Sequence, residues 1–153
     1  MQRLEQLAGD SFRIDQLNNG WPALCQVRAG RQWIWSAIHM GLVIESHRQR
    51  PEERRIENPG KERPVQRPPG TVPLILGLWE VKDACAVVAF DAFRRIDEQT
   101  RKSMFMKLDR LRFAAKQGWA QDESSSGEQI FFFAPSRIGE YVEQLVAARA
   151  QAA

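Results

Sequence analysis

The sequence TVPLILGLWEVKDACAVVAFDAF, residues 71–93, carries the clearest structural signal in this chain. Two apolar runs, 72–79 and 84–90, flank the short polar segment EVKD. Such runs, separated by a polar turn, are typical of two adjacent antiparallel strands. Pro73 stands near the start of the first strand, where a missing backbone N–H is tolerated. The stretch therefore predicts a buried β-hairpin.

The segments on either side predict further strands. ALCQVRAGRQWIWSAIHM (23–40) predicts two strands around a turn at residues 29–30, because it is rich in β-branched and aromatic residues. GLVIESH (41–47) predicts a short additional strand. WAQDESSSGEQIFFFAP (119–135) predicts a second hairpin, with residues 124–127 as its loop.

Two helices are predicted in the second half of the chain. DRLRFAAKQG (109–118) has Asp109 as an N-cap and Gly118 as a C-terminal stop, whereas the preceding RKSMFMKL (101–108) suits either a helical extension or a short strand. A helix from about Ser136 to the end of the chain has a helical apolar stripe that predicts core packing. The stripe consists of Ile138, Tyr141, Val142, Leu145 and Val146.

Strands do not alternate with helices along the chain, which argues against a doubly wound parallel sheet. We therefore predict a fold of the α+β class, mostly β. The expected architecture is an antiparallel β-barrel or pseudobarrel of about six or seven strands with two helices, one of them C-terminal. A length of 153 residues predicts a single domain over residues 1–153.

Composition predicts a folded protein of the cytoplasm. The chain is 43% apolar, contains no run of 18 apolar residues, and begins without the pattern of a signal peptide. Its two cysteines, Cys25 and Cys85, lie in apolar strand-like runs and are predicted to be buried thiols, which suits a reducing compartment.

The net charge of +3 is concentrated in two blocks. Residues 47–69 contain seven Arg or Lys against four acids, and residues 94–116 contain eight against three. Such asymmetry indicates a surface for a polyanion, with a merely solvated face as the alternative.

The first block, HRQRPEERRIENPGKERPVQRPPG (47–70), has five prolines and hardly an apolar side chain to bury, so we predict a proline-braced loop without a helix or central strand. Arginine and lysine neutralise phosphates, while bidentate arginine and amide side chains can read bases. The mixture of arginines, acids and amides favours a DNA-reading loop over a solvated loop with internal Arg–Glu pairs. The candidate DNA-binding residues are Arg48, Arg50, Arg54, Arg55, Asn58, Lys61, Arg63 and Arg67, with Arg94, Arg95 and Arg101 as secondary phosphate contacts.

The sequence lacks the motifs of most enzyme classes. His39 and His47 lack ligand partners at zinc spacing, and there is neither a phosphate-binding glycine loop nor a nucleophile elbow, so no cofactor is expected. One catalytic alternative stays open. Glu80 and Lys82 form the acid–x–Lys pattern of PD-(D/E)XK nucleases, in which an upstream acid such as Glu57 or Glu45 would help to hold Mg²⁺. The competing interpretation is that Glu80, Lys82 and Asp83 form the solvated tip of a hairpin.

The run EERRIENPGKERPVQRPPGTVPLILGLW (52–79) resembles a segment of the B3-like effector domains of type IIE restriction endonucleases. The resemblance implies that Glu53, Arg54 and Arg55 lie on a DNA-recognition arm and that residues 72–79 form the following barrel strand. More loosely, residues 53–153 resemble small proteins associated with bacterial DNA methylases and restriction systems. The shared elements are ERR…NPG…RP, LLGLWE (LILGLWE in this chain), FDA…R, GW and GE.I..F.P.

These observations predict a bacterial, cytoplasmic accessory or targeting protein of a restriction–modification or anti-phage defence system. Its expected partners are double-stranded DNA, read in a sequence- or modification-dependent way, and a larger restriction or defence protein. A Mg²⁺-dependent nuclease using Glu80 and Lys82 is one alternative. The other is a protein-interaction subunit with an exposed patch from its aromatic residues, which include Trp33, Trp35 and Trp119.

Overall fold

A computed structural model of the chain describes residues 1–46 and 49–152. Within these ranges it contains ten strands and three α-helices. The strands are β1 Phe12–Gln16, β2 Ala23–Ala29, β3 Gln32–Leu42, β4 Ile44–Glu45, β5 Glu53–Asn58, β6 Val72–Val81, β7 Ala84–Phe90, β8 Lys102–Lys107, β9 Trp119–Glu123 and β10 Gln129–Phe133. The helices are α1 Gln2–Ala8, α2 Leu108–Gln117 and α3 Ile138–Ala152.

The strands form two sheets. The large sheet has the order β1-β2-β3-β6-β7-β10-β9, and the small sheet has the order β4-β5-β8. Strand pairs are antiparallel except for β3 and β6, which run parallel from the pair Ser36–Val72 to the pair Leu42–Leu78. The predicted α+β, mostly β class is confirmed. The large sheet has β1 and β9 as its edge strands, and the described residues form no closed barrel.

Strands β6 and β7 at the centre of the large sheet are buried on both faces, and accordingly carry apolar residues at consecutive positions. In β6, Leu74 and Leu76 join the core beneath α1 and α3, whereas Ile75 and Trp79 join the core beneath the small sheet and α2. Successive strand residues point to opposite faces, so one apolar run serves two cores.

The small sheet packs closely on the large one at Gly77. A Cβ atom added there would lie 2.8 Å from Val43 Cγ2 and 2.9 Å from Ile56 Cγ2. A strand glycine at such a position allows another element to approach the backbone. Gly77 therefore sets the separation of the two layers.

The predicted hairpins are confirmed as β2–β3, β6–β7 and β9–β10. The segment 101–108, for which two interpretations were open, contains strand β8, and its methionines point into the core. The C-terminal helix is confirmed, although Val146 at the end of its apolar stripe is 38% exposed. Gly118 ends α2 with φ +94°, as expected, but the N-cap is Lys107 and Asp109 lies in the first turn.

The prediction that residues 47–70 contain no central strand is wrong. Strand β5 is the middle strand of the small sheet, and it occupies the proline-free segment between Pro51 and Pro59. Two apolar side chains of the stretch, Ile56 and Val65, are fully buried and help to hold it against the core. His47 lies outside the described residues.

The cysteines are free thiols, and only Cys25 is buried. Burial raises the pKa of the Cys25 thiol to about 12. Cys85 is partly exposed beside the β6–β7 turn, so its predicted burial is wrong. The helices in the described ranges do not include one that could span a membrane.

Candidate nucleic-acid interface

The segment between β5 and β6, residues 59–71, is anchored to the large sheet by a buried histidine. His39 Nδ1 donates to the carbonyl oxygen of Leu74 at 2.9 Å, and its Nε2 accepts from the backbone N–H of Gln66 at 3.0 Å. Only the neutral ring with its proton on Nδ1 makes both bonds. Burial lowers the pKa of His39 to about 4, so the ring is neutral at physiological pH. The loop is therefore held in one position.

The loop begins with a turn that brings the two basic blocks together. The Asn58 side chain, 1% exposed, accepts from the backbone N–H of Gly60 at 3.0 Å. Gly60 has φ +67°, and an added Cβ would lie 2.7 Å from the backbone of Thr100 and of Arg101. Glycine permits both this conformation and this approach. The NPG sequence thus joins residues 58–60 to residues 100–101.

Further contacts continue this junction. The backbone N–H of Lys61 donates to the Gln99 carbonyl at 3.2 Å, and Val65 forms a parallel bridge with Ile96. In the adjoining sheet, β5 pairs with β8 over its whole length. The segments 60–67 and 93–101, which belong to different basic blocks, therefore run side by side.

Five of the predicted residues on these two segments are exposed cations. We call this group the basic surface: Lys61, Arg63, Arg67, Arg94 and Arg101. Arg63 donates to the Asn19 carbonyl at 2.9 Å, and Arg101 pairs with Glu57 at 2.8 Å. Those bonds orient the guanidinium groups while leaving them accessible to phosphate.

Three predicted residues are mainly engaged inside the fold. Arg95 forms a bidentate ion pair with Glu128, whose side chain is 5% exposed. Burial alone would raise the pKa of Glu128, but hydrogen bonds from Arg95 and from the Asp91 backbone outweigh it and hold that pKa below its usual value. Arg55 is 15% exposed and bonds to Ser103 on β8 at 3.3 Å. With Asn58, these side chains stabilise the site's framework.

Two predicted residues lie at the far end of β5. Arg50 pairs with Glu53 at 3.7 Å, and Arg54 donates to the carbonyl oxygens of Pro51 and Glu53. The six-residue strand β5 separates them from Lys61 by roughly 17 Å. Arg48 lies outside the described residues.

The Glu80–Lys82 pattern forms the tip of the β6–β7 hairpin, as the alternative interpretation predicted. Lys82 and Asp83 make its two-residue turn, and both are exposed. Glu80 is held by the Arg3 guanidinium, with contacts of 3.0 and 3.1 Å from Nε, and this ion pair lowers the pKa of its carboxyl group. Among the described residues, no group of three or more His, Cys, Asp or Glu side chains could hold a metal ion.

Two residues next to the basic surface were missed by the sequence reasoning. The Phe93 ring has the guanidinium carbon of Arg149 3.9 Å from its centroid and that of Arg67 at 5.1 Å. Arg149 belongs to α3, far along the chain from both basic blocks, and no sequence signal linked it to them.

Strand β3 of the large sheet also presents aromatic residues. Trp35 is 42% exposed, and Arg13 stacks over the Trp33 ring at 3.8 Å. Both tryptophans point to the face opposite Ile34, which packs on the core beneath α3. By contrast, Phe132 and Phe133 are fully buried.

The fold and this site define a small, basic, mostly β protein with an open sheet and exposed cations along the junction of its two basic blocks. The chain belongs to the methylase-associated X1 family, which it matches over residues 33–142. This range includes the small sheet and the β6–β7 hairpin. Membership indicates a small methylase-associated protein that takes part in a restriction–modification system. Comparison with curated proteins and with solved structures found no match.

Proposed function

We propose that this protein binds double-stranded DNA as an accessory or targeting protein of a restriction–modification system. The observation that carries the proposal is the junction of the two basic blocks along residues 60–67 and 93–101. Cations on one continuous surface can neutralise several neighbouring phosphates at once, whereas cations scattered over the molecule cannot. Membership of the methylase-associated X1 family supports the restriction–modification setting of this proposal.

Within this proposal, the loop after β5 makes the main DNA contacts. The B3-like resemblance implied a recognition arm at Glu53, Arg54 and Arg55, but these residues belong to the central strand of the small sheet. We therefore assign phosphate contacts to the basic surface, with Arg50 and Arg54 as contacts for a longer duplex. Sequence- or modification-dependent binding would require base contacts in addition.

The test measures the affinity for a duplex oligonucleotide over a range of salt concentrations. Lys61→Ala and Arg67→Ala should each reduce the slope of log K against log[salt] by about one, because each removes one phosphate contact. Lys82→Ala is the matched control. Lys82 is exposed at the other end of the ten-residue strand β6, which places it roughly 30 Å from the loop. Absence of duplex binding at low salt, or equal effects of Lys82→Ala and Lys61→Ala, would contradict the proposal.

A nuclease function is less well supported, because Glu80 is paired with Arg3 at an exposed hairpin tip. We expect no Mg²⁺-dependent nicking of plasmid DNA by the wild-type protein. Nicking that disappears in Glu80→Gln would reverse this assignment.

A protein-interaction role has one favourable observation, the exposed tryptophan face. Trp35 is 42% exposed beside Trp33 and Arg13, and tryptophan and arginine are enriched at protein interfaces. We propose this face as the contact for the larger restriction–modification partner. Trp35→Glu should then abolish co-purification with the methylase while leaving duplex affinity unchanged.

A further inference from the structure

A cavity of about 400 Å³ opens between α3, β10 and the turn that follows β7. This volume falls within the range of roughly 300–1,000 Å³ that is typical of small-molecule sites. Its inner wall consists of Phe131, Tyr141, Leu145 and Ala148. The rings of Phe131 and Tyr141 lie 5.4 Å apart at 54°, and since Tyr141 is only 3% exposed, the partly exposed Phe131 offers the aromatic surface for a flat ligand.

The mouth of the cavity is cationic. Arg94 and Arg149 both line it, and neither forms an ion pair among the described residues. The two acids at the cavity are already engaged. Asp91 accepts from the Phe93 backbone N–H at 2.9 Å, and Glu128 is paired with Arg95. A ligand with an apolar ring and a negative group therefore fits this cavity.

The cavity is also lined by side chains with amide groups. Gln144 lines the cavity together with Gln129, whose amide nitrogen already donates to Glu123 Oε1 at 3.0 Å. Glutamine amides can donate to and accept from the hydrogen-bonding edge of a nucleobase, and aromatic side chains stack on its face. The apolar wall thus suits the face of a nucleobase, and the amides suit its hydrogen-bonding edge. The guanidinium groups suit the phosphate of the same nucleotide.

We propose that this cavity binds a single nucleotide, with the base against Phe131 and the phosphate at Arg94 and Arg149. The inference rests on the proposed DNA binding in one respect. Arg94 belongs both to the basic surface and to the cavity mouth, so a nucleotide extruded from a bound duplex would reach the cavity directly. A free nucleotide presents the same chemistry and is the second possible source.

The experiment uses the full chain and two probes. The first is 2-aminopurine deoxynucleoside 5′-monophosphate, whose fluorescence reports binding of a free nucleotide. The second is a pair of duplexes that differ by one central mismatch. Extrusion costs less from a mismatched pair, so the mismatched duplex should bind more tightly, roughly tenfold, if the cavity takes the base.

Variants of neighbouring residues on α3 supply the matched comparison. Leu145→Trp should fill the cavity, abolish nucleotide binding and remove the mismatch preference, while affinity for the matched duplex changes by less than about twofold. Val146→Trp is the control, since Val146 is 38% exposed and lines a different cavity beside the β2–β3 turn. Arg149→Gln, at an exposed position, should weaken nucleotide binding without disturbing the core.

The outcomes separate the two proposals. Duplex binding without mismatch preference and without nucleotide binding would overturn the cavity assignment but leave the proposed function intact. Nucleotide binding that is lost in Leu145→Trp, in a protein that does not bind duplex, would support the cavity as a free-nucleotide site and refute the proposed function. Equal effects of Leu145→Trp and Val146→Trp would also overturn the assignment.

Discussion

Protonation of His39 should destabilise this fold in a defined pH window. In the native state its Nε2 accepts from the Gln66 N–H, and a proton on that nitrogen would face another N–H group. The pKa of His39 falls from 6.5 to about 4, with burial as the main cause. The unfolded chain therefore binds a proton at a pH at which the native state does not.

The sign and the size of the effect follow from linkage. Between pH 6.5 and 4 the unfolded state holds more protons on this residue, so the free energy of unfolding falls as the pH falls. The difference between the two pKa values corresponds to a total loss of about 3 kcal/mol in the free energy of unfolding. About 2 kcal/mol of this is already lost at pH 5. That amount is a substantial part of the 5–15 kcal/mol that is typical of folded domains.

The comparison with His39→Gln isolates this contribution. A glutamine amide can also donate to Leu74 and accept from Gln66, but it does not titrate. Urea unfolding, followed by tryptophan fluorescence at pH 7.5 and pH 5, gives the free energy of unfolding of both proteins. The wild type should lose about 2 kcal/mol more than His39→Gln over this interval, since other titrating groups are common to both. Equal losses would refute the buried, neutral histidine.

Three further predictions concern packing and the buried ion pair. Gly77→Ala should lower the free energy of unfolding by about 1–3 kcal/mol in urea, because the added methyl group overlaps side chains of the small sheet; unchanged stability would contradict the close layer contact. Gly60→Ala should lower the free energy of unfolding by about 2 kcal/mol or more and reduce duplex affinity, because it strains the turn that joins the basic blocks. Unchanged stability and unchanged duplex affinity would show that the junction is not required. Glu128→Ala should cost about 3–5 kcal/mol by leaving Arg95 unpaired, and the double variant Arg95→Met/Glu128→Leu should recover much of that loss in thermal unfolding.

Most strands of this protein could be predicted from the chain alone, because local apolar patterning records them. The β6–β7 run is buried on both faces, and its unbroken apolar sequence indicates this directly. Strand β5 was missed because the prolines around it suggested a loop, whereas its six residues pair fully with β8. The parallel pairing of β3 with β6 joins strands separated by the whole basic stretch, and no local signal encodes such a contact.

The sequence by itself determined the fold class, the terminal helix and the presence of two basic blocks, since composition and periodicity are properties of short segments. Only the tertiary structure decided which cations form a surface. Residues 60–65 and 96–101 became neighbours through contacts between distant backbone segments, while Arg95 turned inward to pair with Glu128. The distribution of charge along the sequence does not indicate which charged side chains will pair with a buried residue. That depends on long-range packing, which also brought Arg149 to Phe93 and formed the cavity beside it.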